Sequence, residues 1–89
     1  MARTRGSHLD GNVLAGPLAD LFGRDMTLAT GRCTGCGDVT TLARALVYPD
    51  APGLTVRCCT CNGVLFTVVQ ADGRTWLDLR GLTGLQPPR

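Results

Sequence analysis

Two pairs of cysteines constrain what this chain of 89 residues can fold into. Cys33 and Cys36 form one C-x-x-C pair, and Cys58 and Cys61 form a second after 21 intervening residues. Two such pairs on two turns can bring four sulfurs to the corners of a tetrahedron, each about 2.3 Å from one Zn²⁺ ion. Because a chain this short buries a limited core, a metal would supply much of its stability. The spacing therefore predicts one structural zinc ion with four cysteine ligands.

The residues around each pair favour the same interpretation. Gly35 lies inside the first pair and Gly37 directly follows it, and Asn62 and Gly63 follow the second pair. These residue types tolerate positive φ, so the backbone can turn tightly and direct N–H groups at the sulfurs. We call each C-x-x-C pair with its turn a knuckle: residues 33–38 are the first and residues 58–63 the second.

An arginine precedes each knuckle, Arg32 in "GRCTGC" and Arg57 in "VRCCTC". A zinc site with four thiolates carries two net negative charges, which a guanidinium on each side would offset. An exposed position at the end of a strand explains the same residues equally well, because arginine is usually exposed. The sequence leaves both explanations open.

The second knuckle reads "RCCTCNG" and contains a fifth cysteine, Cys59. A pair made of Cys59 and Cys61 would leave one residue between the sulfurs, which is too tight for the usual turn. Cys58 and Cys61 are therefore the predicted ligands, and Cys59 is predicted to be an exposed turn residue with a spare thiol. A reactive or regulatory role for Cys59 is disfavoured because Arg57 is its one basic neighbour.

Other chemistries of paired cysteines fit less well. A thioredoxin-like redox pair belongs at a helix N-terminus in a βαβ unit, whereas both pairs here follow predicted strands. Four thiolates also suit a single iron ion, so a rubredoxin-like electron carrier stays a distant alternative. Disulfides are least favoured, because the start of the chain lacks the apolar run of a signal peptide and we expect a cytoplasmic location with reduced thiols.

The chain divides into four predicted stretches. Residues 1–8 are polar and small and are expected to be a disordered tail. Residues 9–25 are expected to form a helical segment that packs on or beside the rest, and residues 26–82 a β-rich unit that contains the cysteines. Residues 83–89 are expected to be a flexible tail.

The helical segment has apolar residues at spacings that fit one face of a helix: Val13, Leu14, Leu18, Leu21 and Phe22. Asp10 is placed to cap its start, and Gly23 is placed where a helix C-terminus favours a left-handed residue. Pro17 interrupts the pattern, because it removes a backbone hydrogen bond from a continuous helix. The sequence predicts either a kink or a second helix start with Gly16 before Pro17 at the first helical position.

Beyond the helical segment, five short runs are predicted strands: "TLATGR", "TLARALVY", "LTVR", "VLFTVV" and "TWLDLR". In "YPDAPG" we expect a turn, with Pro49 and Pro52 blocking sheet pairing. The Asp-Gly pair in "QADGRT" predicts a tight hairpin. On the last strand, alternation puts Trp76 on the opposite face from Leu77. We expect Trp76 to pack under the helical segment as core, with an exposed contact platform as the alternative.

The runs "LDGNVLAGPLADLFGRDMT", "GRCTGCG", "VYPDAPGL", "VRCCTCNGVL" and "TWLDLRGL" resemble the zinc-ribbon superfamily. More closely, they resemble a small family of functionally uncharacterised zinc-ribbon proteins from high-GC Gram-positive bacteria, over roughly residues 9–82. The resemblance implies a zinc ribbon, with antiparallel strands and two cysteine knuckles, behind a short N-terminal helical segment. It carries the ligand role onto Cys33, Cys36, Cys58 and Cys61 and implies no activity. At Cys59, where relatives often carry Pro, the sequence departs from the pattern.

No set of catalytic residues can be assembled from this sequence. His8 is the sole histidine and Ser7 the sole serine, and Asp38 and Asp78 fit turn and surface positions better than a general acid and base. With four protein sulfurs around the zinc, no position stays open to activate water. We therefore expect a structural site in a protein that is not an enzyme.

Two kinds of partner remain for such a module. The first is a protein, bound by the sheet and the apolar helical segment as an adaptor in transcription or translation. The second is nucleic acid, with five candidate contact residues: Arg44, Arg57, Arg74, Arg80 and Trp76. The formal net charge of +2 falls to zero once four thiolates hold one Zn²⁺, which favours a protein partner. If the four arginines and Trp76 share one face, nucleic acid becomes the better prediction; a monomer and a dimer are equally compatible with the sequence.

Overall fold

A computed structural model describes residues 8–88 of the protein. Its described elements are, in chain order, β1 Leu9–Asp10, a 3₁₀ helix Gly11–Leu14, α1 Ala15–Phe22, β2 Thr30–Cys33, β3 Val39–Thr41, a 3₁₀ helix Leu42–Arg44, β4 Leu46–Asp50, β5 Gly53–Arg57, β6 Val64–Ala71, β7 Arg74–Asp78 and β8 Leu82–Gln86. They confirm a small β-rich domain with one short helix near the N-terminus. With eight residues, α1 falls far short of a bilayer's thickness, and residues 8–88 contain no longer apolar helix that could cross a membrane.

The strands form two antiparallel sheets. The large sheet has the order β1-β4-β5-β6-β7, and the small sheet has the order β3-β2-β8. Buried side chains from the helices and from both sheets join in one cluster: Leu14, Leu18, Met26, Ala29, Cys33, Leu42, Ala45, Val47, Val56, Cys58, Leu65, Phe66 and Val68. Burying one large side chain of this kind contributes about 1.5–3 kcal/mol. One face of the large sheet covers this core, and we call the opposite face the outer face.

The helical segment begins and ends as its caps predict. The Asp10 side chain accepts a hydrogen bond from the N–H of Asn12 at 2.9 Å, and Gly23 ends α1 with φ of 72°. The chain changes from a 3₁₀ helix to an α-helix at Ala15, so the second start occurs there and not at Pro17. Pro17 lies in the first turn of α1, where its missing N–H costs no helical hydrogen bond.

Two of the predicted strands are shorter than expected. In the run "TLATGR" the strand begins only at Thr30. The residues before it form a turn, because the N–H and the hydroxyl of Thr27 both donate to the Asp25 carboxylate, at 2.9 and 2.8 Å. The run "TLARALVY" is split by the 3₁₀ helix Leu42–Arg44, across which the chain leaves the small sheet and enters the large one.

The predicted turn around the two prolines is shorter than expected. Pro49 lies within β4 opposite Leu54, so the prediction that it blocks pairing was wrong. It is tolerated because β1 pairs only with Leu46 and Val47, which leaves that side of β4 open at Pro49. The Asp-Gly hairpin is confirmed: Asp72 and Gly73 have φ of 54° and 73° between β6 and β7.

The two ends of the chain differ from their predictions in different ways. Instead of a flexible tail from residue 83, Leu82–Gln86 forms β8, which pairs with β2 and packs Leu85 against the core. The prediction missed this strand because its partner lies some fifty residues earlier in the chain. The expected disorder of residues 1–7 lies outside the described residues; His8 is exposed, with its ring centroid 5.8 Å from that of Tyr48.

Candidate metal centre

The two knuckles are the turns of two hairpins in different sheets. Residues 33–38 connect β2 to β3 in the small sheet, and residues 58–63 connect β5 to β6 in the large sheet. Beside each knuckle the strand register shifts, at Arg32/Cys33 in one sheet and at Val56/Arg57 in the other. Such irregularities bend a strand and redirect its end. The cysteine cluster therefore lies where the ends of the two sheets meet.

The sulfurs of Cys33, Cys36, Cys58 and Cys61 all lie within 4.8 Å of one another. The Sγ atoms of Cys33 and Cys61 are 3.6 Å apart, and those of Cys36 and Cys58 are 3.7 Å apart. A tetrahedral site with metal–sulfur bonds of about 2.3 Å has sulfur–sulfur edges of about 3.8 Å. The four cysteines named from the sequence thus have the separations that one tetrahedral metal ion requires.

Cys59 lies outside this cluster. Its side chain is exposed, and its sulfur lies 4.0 Å from the hydroxyl oxygen of its neighbour Thr60. The structure therefore places Cys59 on the surface of the second knuckle, as the spacing argument predicts.

The two knuckles have matching backbone hydrogen bonds. The N–H of Cys33 donates to the Asp38 carbonyl at 2.9 Å, and the N–H of Cys58 donates to the Gly63 carbonyl at 2.8 Å. In the opposite direction, the Gly37 N–H donates to the Cys33 carbonyl at 2.8 Å and the Asn62 N–H to the Cys58 carbonyl at 2.9 Å. The residue after the second cysteine has positive φ in both, 78° at Gly37 and 64° at Asn62. Glycine and asparagine are the residues that adopt this conformation most readily, which explains their presence here.

Backbone N–H groups point at the sulfurs. Three of these hydrogen bonds measure 3.3 Å: Gly35 N–H to Cys33, Thr60 N–H to Cys58 and Gly63 N–H to Cys61. Donors aimed at sulfur stabilise thiolate charge, as they do around metal-bound cysteines.

Their surroundings move the pKa values of Cys58 and Cys36 in opposite directions. Burial raises the pKa of Cys58, but hydrogen bonds from the N–H groups of Cys61 and Thr60 and from neighbouring thiols outweigh it and lower the pKa to about 7. At Cys36 the Asp38 N–H lowers the pKa, while lost hydration and hydrogen bonds to the other three thiols raise it to about 12. Cys58 is thus partly a thiolate near neutral pH, whereas a metal must displace the proton of Cys36.

Side chains brace the second knuckle and connect it to the first. The Arg57 guanidinium donates to the carbonyl oxygen of Asn62 at 2.9 Å and lies 5.8 Å from the centroid of the Tyr48 ring. The Thr60 hydroxyl donates to the Asp38 carboxylate at 2.6 Å, across the two knuckles. Arg32, by contrast, is exposed. Of the two explanations for the arginines, exposure therefore describes Arg32, whereas Arg57 holds the knuckle backbone.

The remaining candidate contact residues lie away from the cysteines. Trp76 is 61% exposed on the outer face, so the prediction that it packs in the core was wrong: Leu77, its neighbour on β7, points inward instead. Strand alternation places Arg57 and Arg74 on the same face as Trp76. Arg80 bonds the Asp78 carboxylate at 2.6 Å beside that face. Arg44 lies on a 3₁₀ helix outside the sheet, so the five residues do not all share one face.

Sequence reasoning missed Tyr48 and the bond between Thr60 and Asp38. The alternation around buried Val47 could have placed Tyr48 on the outer face. The sequence carries no signal for the second contact, because its partners come from hairpins of different sheets.

Comparison with known proteins gives one match. A family model described as a family of unknown function (DUF6510) matches residues 4–89. Neither a curated protein nor a solved structure matches the chain.

Proposed function

The chain belongs to this family of unknown function, and on that premise we propose that it is a non-enzymatic adaptor, a zinc ribbon whose fold is held by one structural Zn²⁺. The observation that carries the proposal is the cluster of four sulfurs within 4.8 Å, contributed by two sheets. Its ligands are Cys33, Cys36, Cys58 and Cys61.

A structural role follows from the donor set and from its position. Four thiolates occupy all four coordination positions of a tetrahedral zinc ion. A zinc ion with no open position does not activate water. Structural zinc in small domains contributes on the order of 10 kcal/mol, which is comparable to the whole stability of a domain. Because the ligands come from hairpins of both sheets, the ion cross-links their ends. Iron suits the same four sulfurs, so a rubredoxin-like iron site is the distant alternative.

The proposed partner is a protein that docks on the C-terminal end of α1. Two apolar side chains are exposed at this end of α1, Leu21 at 43% and Phe22 at 42%, and a third, Leu79 at 38%, directly follows β7. Phe22 and Leu79 also line one small apolar cavity with Leu18 and Leu77, so they form one surface. Exposed apolar surface of this kind is typical of protein interfaces. The resemblance to zinc ribbons suggests the transcription or translation machinery, and five free thiols suit the cytoplasm.

Metal analysis of the protein purified without added metal tests the zinc proposal. One zinc ion per chain is the expected result, together with unfolding when a strong chelator removes it. Iron in place of zinc, or a folded protein without metal, would contradict the proposal.

Capture of partners from a native lysate, with and without nuclease, tests the adaptor role. We expect Phe22→Asp to abolish capture that survives nuclease, because it charges the surface that Phe22 forms with Leu79. Zinc content and the circular dichroism spectrum show that the variant is folded. Leu28→Asp is the matched control: Leu28 is 65% exposed but lies between α1 and β2, outside that surface. Equal capture by wild type and by folded Phe22→Asp would contradict the proposed surface.

A further inference from the structure

We propose that the protein forms a homodimer in which β7 pairs with β7 of a second copy, antiparallel and with Trp76 opposite the partner's Trp76. The two large sheets then form one continuous sheet. The proposal goes beyond the adaptor function, because the protein docked on α1 contacts apolar side chains, whereas the dimer forms through the backbone at the edge of a strand. Three features of β7 support it: its open edge, its charge pattern and the apolar side chains beside it.

The first feature is the open edge of β7. β7 is the last strand in the order β1-β4-β5-β6-β7, so β6 pairs with only one of its sides. Among residues 8–88, no backbone hydrogen bond from outside the sheet reaches residues 74–78. An open strand edge exposes N–H and C=O groups that pair readily with another strand.

The other sheet edges of the described chain have features that hinder such pairing. β1 has two residues, and the part of β4 that it leaves open contains Pro49. β3 has three residues, and β8 contains Gly84 and a register shift in its pairing with β2. β7 has five residues, neither proline nor glycine, and an unbroken register with β6. Short length, proline and bulges protect natural strand edges, and β7 has none of them.

The hydrogen bonds of β6 show which groups of β7 point outward. Gln70, which lies opposite Thr75, donates its N–H to the Pro52 carbonyl at 3.2 Å, on the side of β6 away from β7. Gln70 and Thr75 are therefore a non-hydrogen-bonded pair, and the two kinds of pair alternate along an antiparallel ladder. The N–H and C=O groups of Thr75 and Leu77 consequently face the open edge.

These outward groups restrict the register of a symmetric antiparallel pair. Outward-facing residues must oppose each other, so in the registers with most overlap Thr75 lies opposite the partner's Thr75, Leu77 or Leu79. The register with Leu77 pairs all five residues of β7 and places Trp76 at the two-fold axis. Thr75 and the partner's Leu77 then exchange an N–H···O bond in each direction.

The second feature is the charge pattern of β7, which selects that register. Arg74 and Asp78 lie at its two ends and on the same face as Trp76. Two-fold symmetry places Arg74 of each copy opposite the partner's Asp78, so opposite charges meet on both sides of the axis. A shift by two residues in one direction would oppose Arg74 and the partner's Arg80. The same shift in the other direction would oppose Asp78 and the partner's Asp72.

The ion pair between Asp78 and Arg80 leaves the carboxylate available to a second copy. The Asp78 side chain stays 41% exposed, and that of Arg80 is 91% exposed. Exposed ion pairs contribute little stability, because water and salt screen them. A carboxylate also has two oxygens, each able to accept more than one hydrogen bond, so Asp78 can accept from a second guanidinium.

The third feature is the apolar surface beside Trp76. Trp76 lies opposite Val69 of β6, and both side chains are on the outer face. Across the axis, Trp76 and the partner's Trp76 form a non-hydrogen-bonded pair, the kind in which side chains lie closest. The junction therefore has tryptophans and valines in its middle and charged pairs at its ends. An apolar middle with a polar rim is the usual anatomy of a protein interface, and here the edge is complementary to itself.

The oligomeric state as a function of concentration tests the proposal. Sedimentation of the zinc-loaded protein should show a monomer–dimer equilibrium. Trp76, the sole tryptophan, should emit at shorter wavelength in the dimer, where its indole is less hydrated. Thr75→Pro should abolish the dimer, because it removes an outward N–H without removing a hydrogen bond to β6. Zinc content and the circular dichroism spectrum show that the variant is folded.

Exchange of the two charges tests the register. Arg74→Asp and Asp78→Arg should each weaken dimerisation about tenfold or more, since either change turns two attractive pairs into repulsive ones. The variant with both changes has the wild-type net charge and should restore the dimer. Within one chain the two residues are about 13 Å apart along the strand, so restoration reports contact between copies. Arg44→Asp is the matched control: it changes the net charge as Arg74→Asp does, at an exposed residue off the sheets, and should leave dimerisation unchanged.

A monomer at every concentration overturns the proposal. A dimer that persists in folded Thr75→Pro overturns it as well, since the copies then associate through another surface. A double variant that dimerises no better than the single variants contradicts the proposed register. Each of these outcomes leaves the zinc and adaptor proposals standing, because metal content and capture from a lysate are measured independently.

Discussion

The first and second knuckles have the same backbone and different supports. In both, one residue with positive φ follows the second cysteine, and the same pattern of hydrogen bonds closes the turn. Among residues 8–88, an arginine bonds a carbonyl of the second knuckle but none bonds one of the first. The additional cysteine also belongs to the second knuckle. The comparison indicates that spacing and positive φ are sufficient to shape a knuckle, while the added contacts modulate its stability. The predictions below test that division.

The largest expected effect separates two adjacent cysteines of the second knuckle. Cys58→Ala should abolish metal-dependent folding, because three sulfurs remain at a site that contributes on the order of 10 kcal/mol. Cys33→Ala should do the same from the first knuckle. Cys59→Ala should change the free energy of unfolding by less than about 0.5 kcal/mol, since its side chain is exposed. Zinc content and circular dichroism give the result; an unfolded Cys59→Ala protein with a folded Cys58→Ala protein would reverse the ligand assignment.

Acidification tests the difference in pKa between Cys36 of the first knuckle and Cys58 of the second. Protons compete with the metal for sulfur, so apparent metal affinity should fall as pH falls. Cys58 has a pKa of about 7 and Cys36 one of about 12, so Cys58 is already a thiolate above neutrality and Cys36 is not. The slope of affinity against pH should therefore steepen by about one proton below about pH 7. Competition with a chromophoric chelator measures the slope, and an affinity independent of pH would contradict the shared thiol cluster.

Backbone conformation should matter equally in both knuckles. Gly37→Ala places a side chain at φ of 78°, which costs about 1–2 kcal/mol even though the added methyl group meets no atom within 4 Å. Asn62→Ala, at φ of 64°, should lose a similar amount, because alanine lacks the local hydrogen bonding of asparagine in that region.

Gly35→Ala is the matched control for this pair of changes. Its added carbon would lie 3.6 Å from two sulfurs, which is ordinary contact, and its φ is not positive. Urea unfolding at one fixed concentration of free zinc measures all three variants. A loss for Gly35→Ala as large as that for Gly37→Ala would show that space, and not φ, limits the first knuckle.

The smallest expected effect concerns the arginines before the knuckles. Arg57→Gln removes the hydrogen bond to the Asn62 carbonyl and the contact with Tyr48, so we expect a loss of about 1 kcal/mol in the free energy of unfolding. Arg32→Gln should stay within about 0.5 kcal/mol, because Arg32 is exposed. Equal losses in the same urea experiment would favour the earlier alternative, in which both guanidiniums act by offsetting the charge of the site.

Part of the fold could be predicted because its determinants are local. The caps at Asp10 and Gly23 and the hairpin at Asp72 each depend on a few consecutive residues. Strand β8 and the inclusion of Pro49 in β4 could not be predicted, because each depends on which distant strand lies alongside. The exposure of Trp76 likewise depends on which face of the large sheet the helix and the small sheet cover.

The sequence by itself determined the two knuckles: C-x-x-C spacing and residues that tolerate positive φ shape each one within six residues. It also excluded Cys59, because the spacing of a sulfur pair is a local property of the chain. Only the tertiary structure decided that the knuckles terminate hairpins of two different sheets, and that a single metal ion would therefore hold those sheets together. The physical reason is that sheet membership is set by pairing between distant strands and by shared burial, neither of which a short stretch of sequence contains.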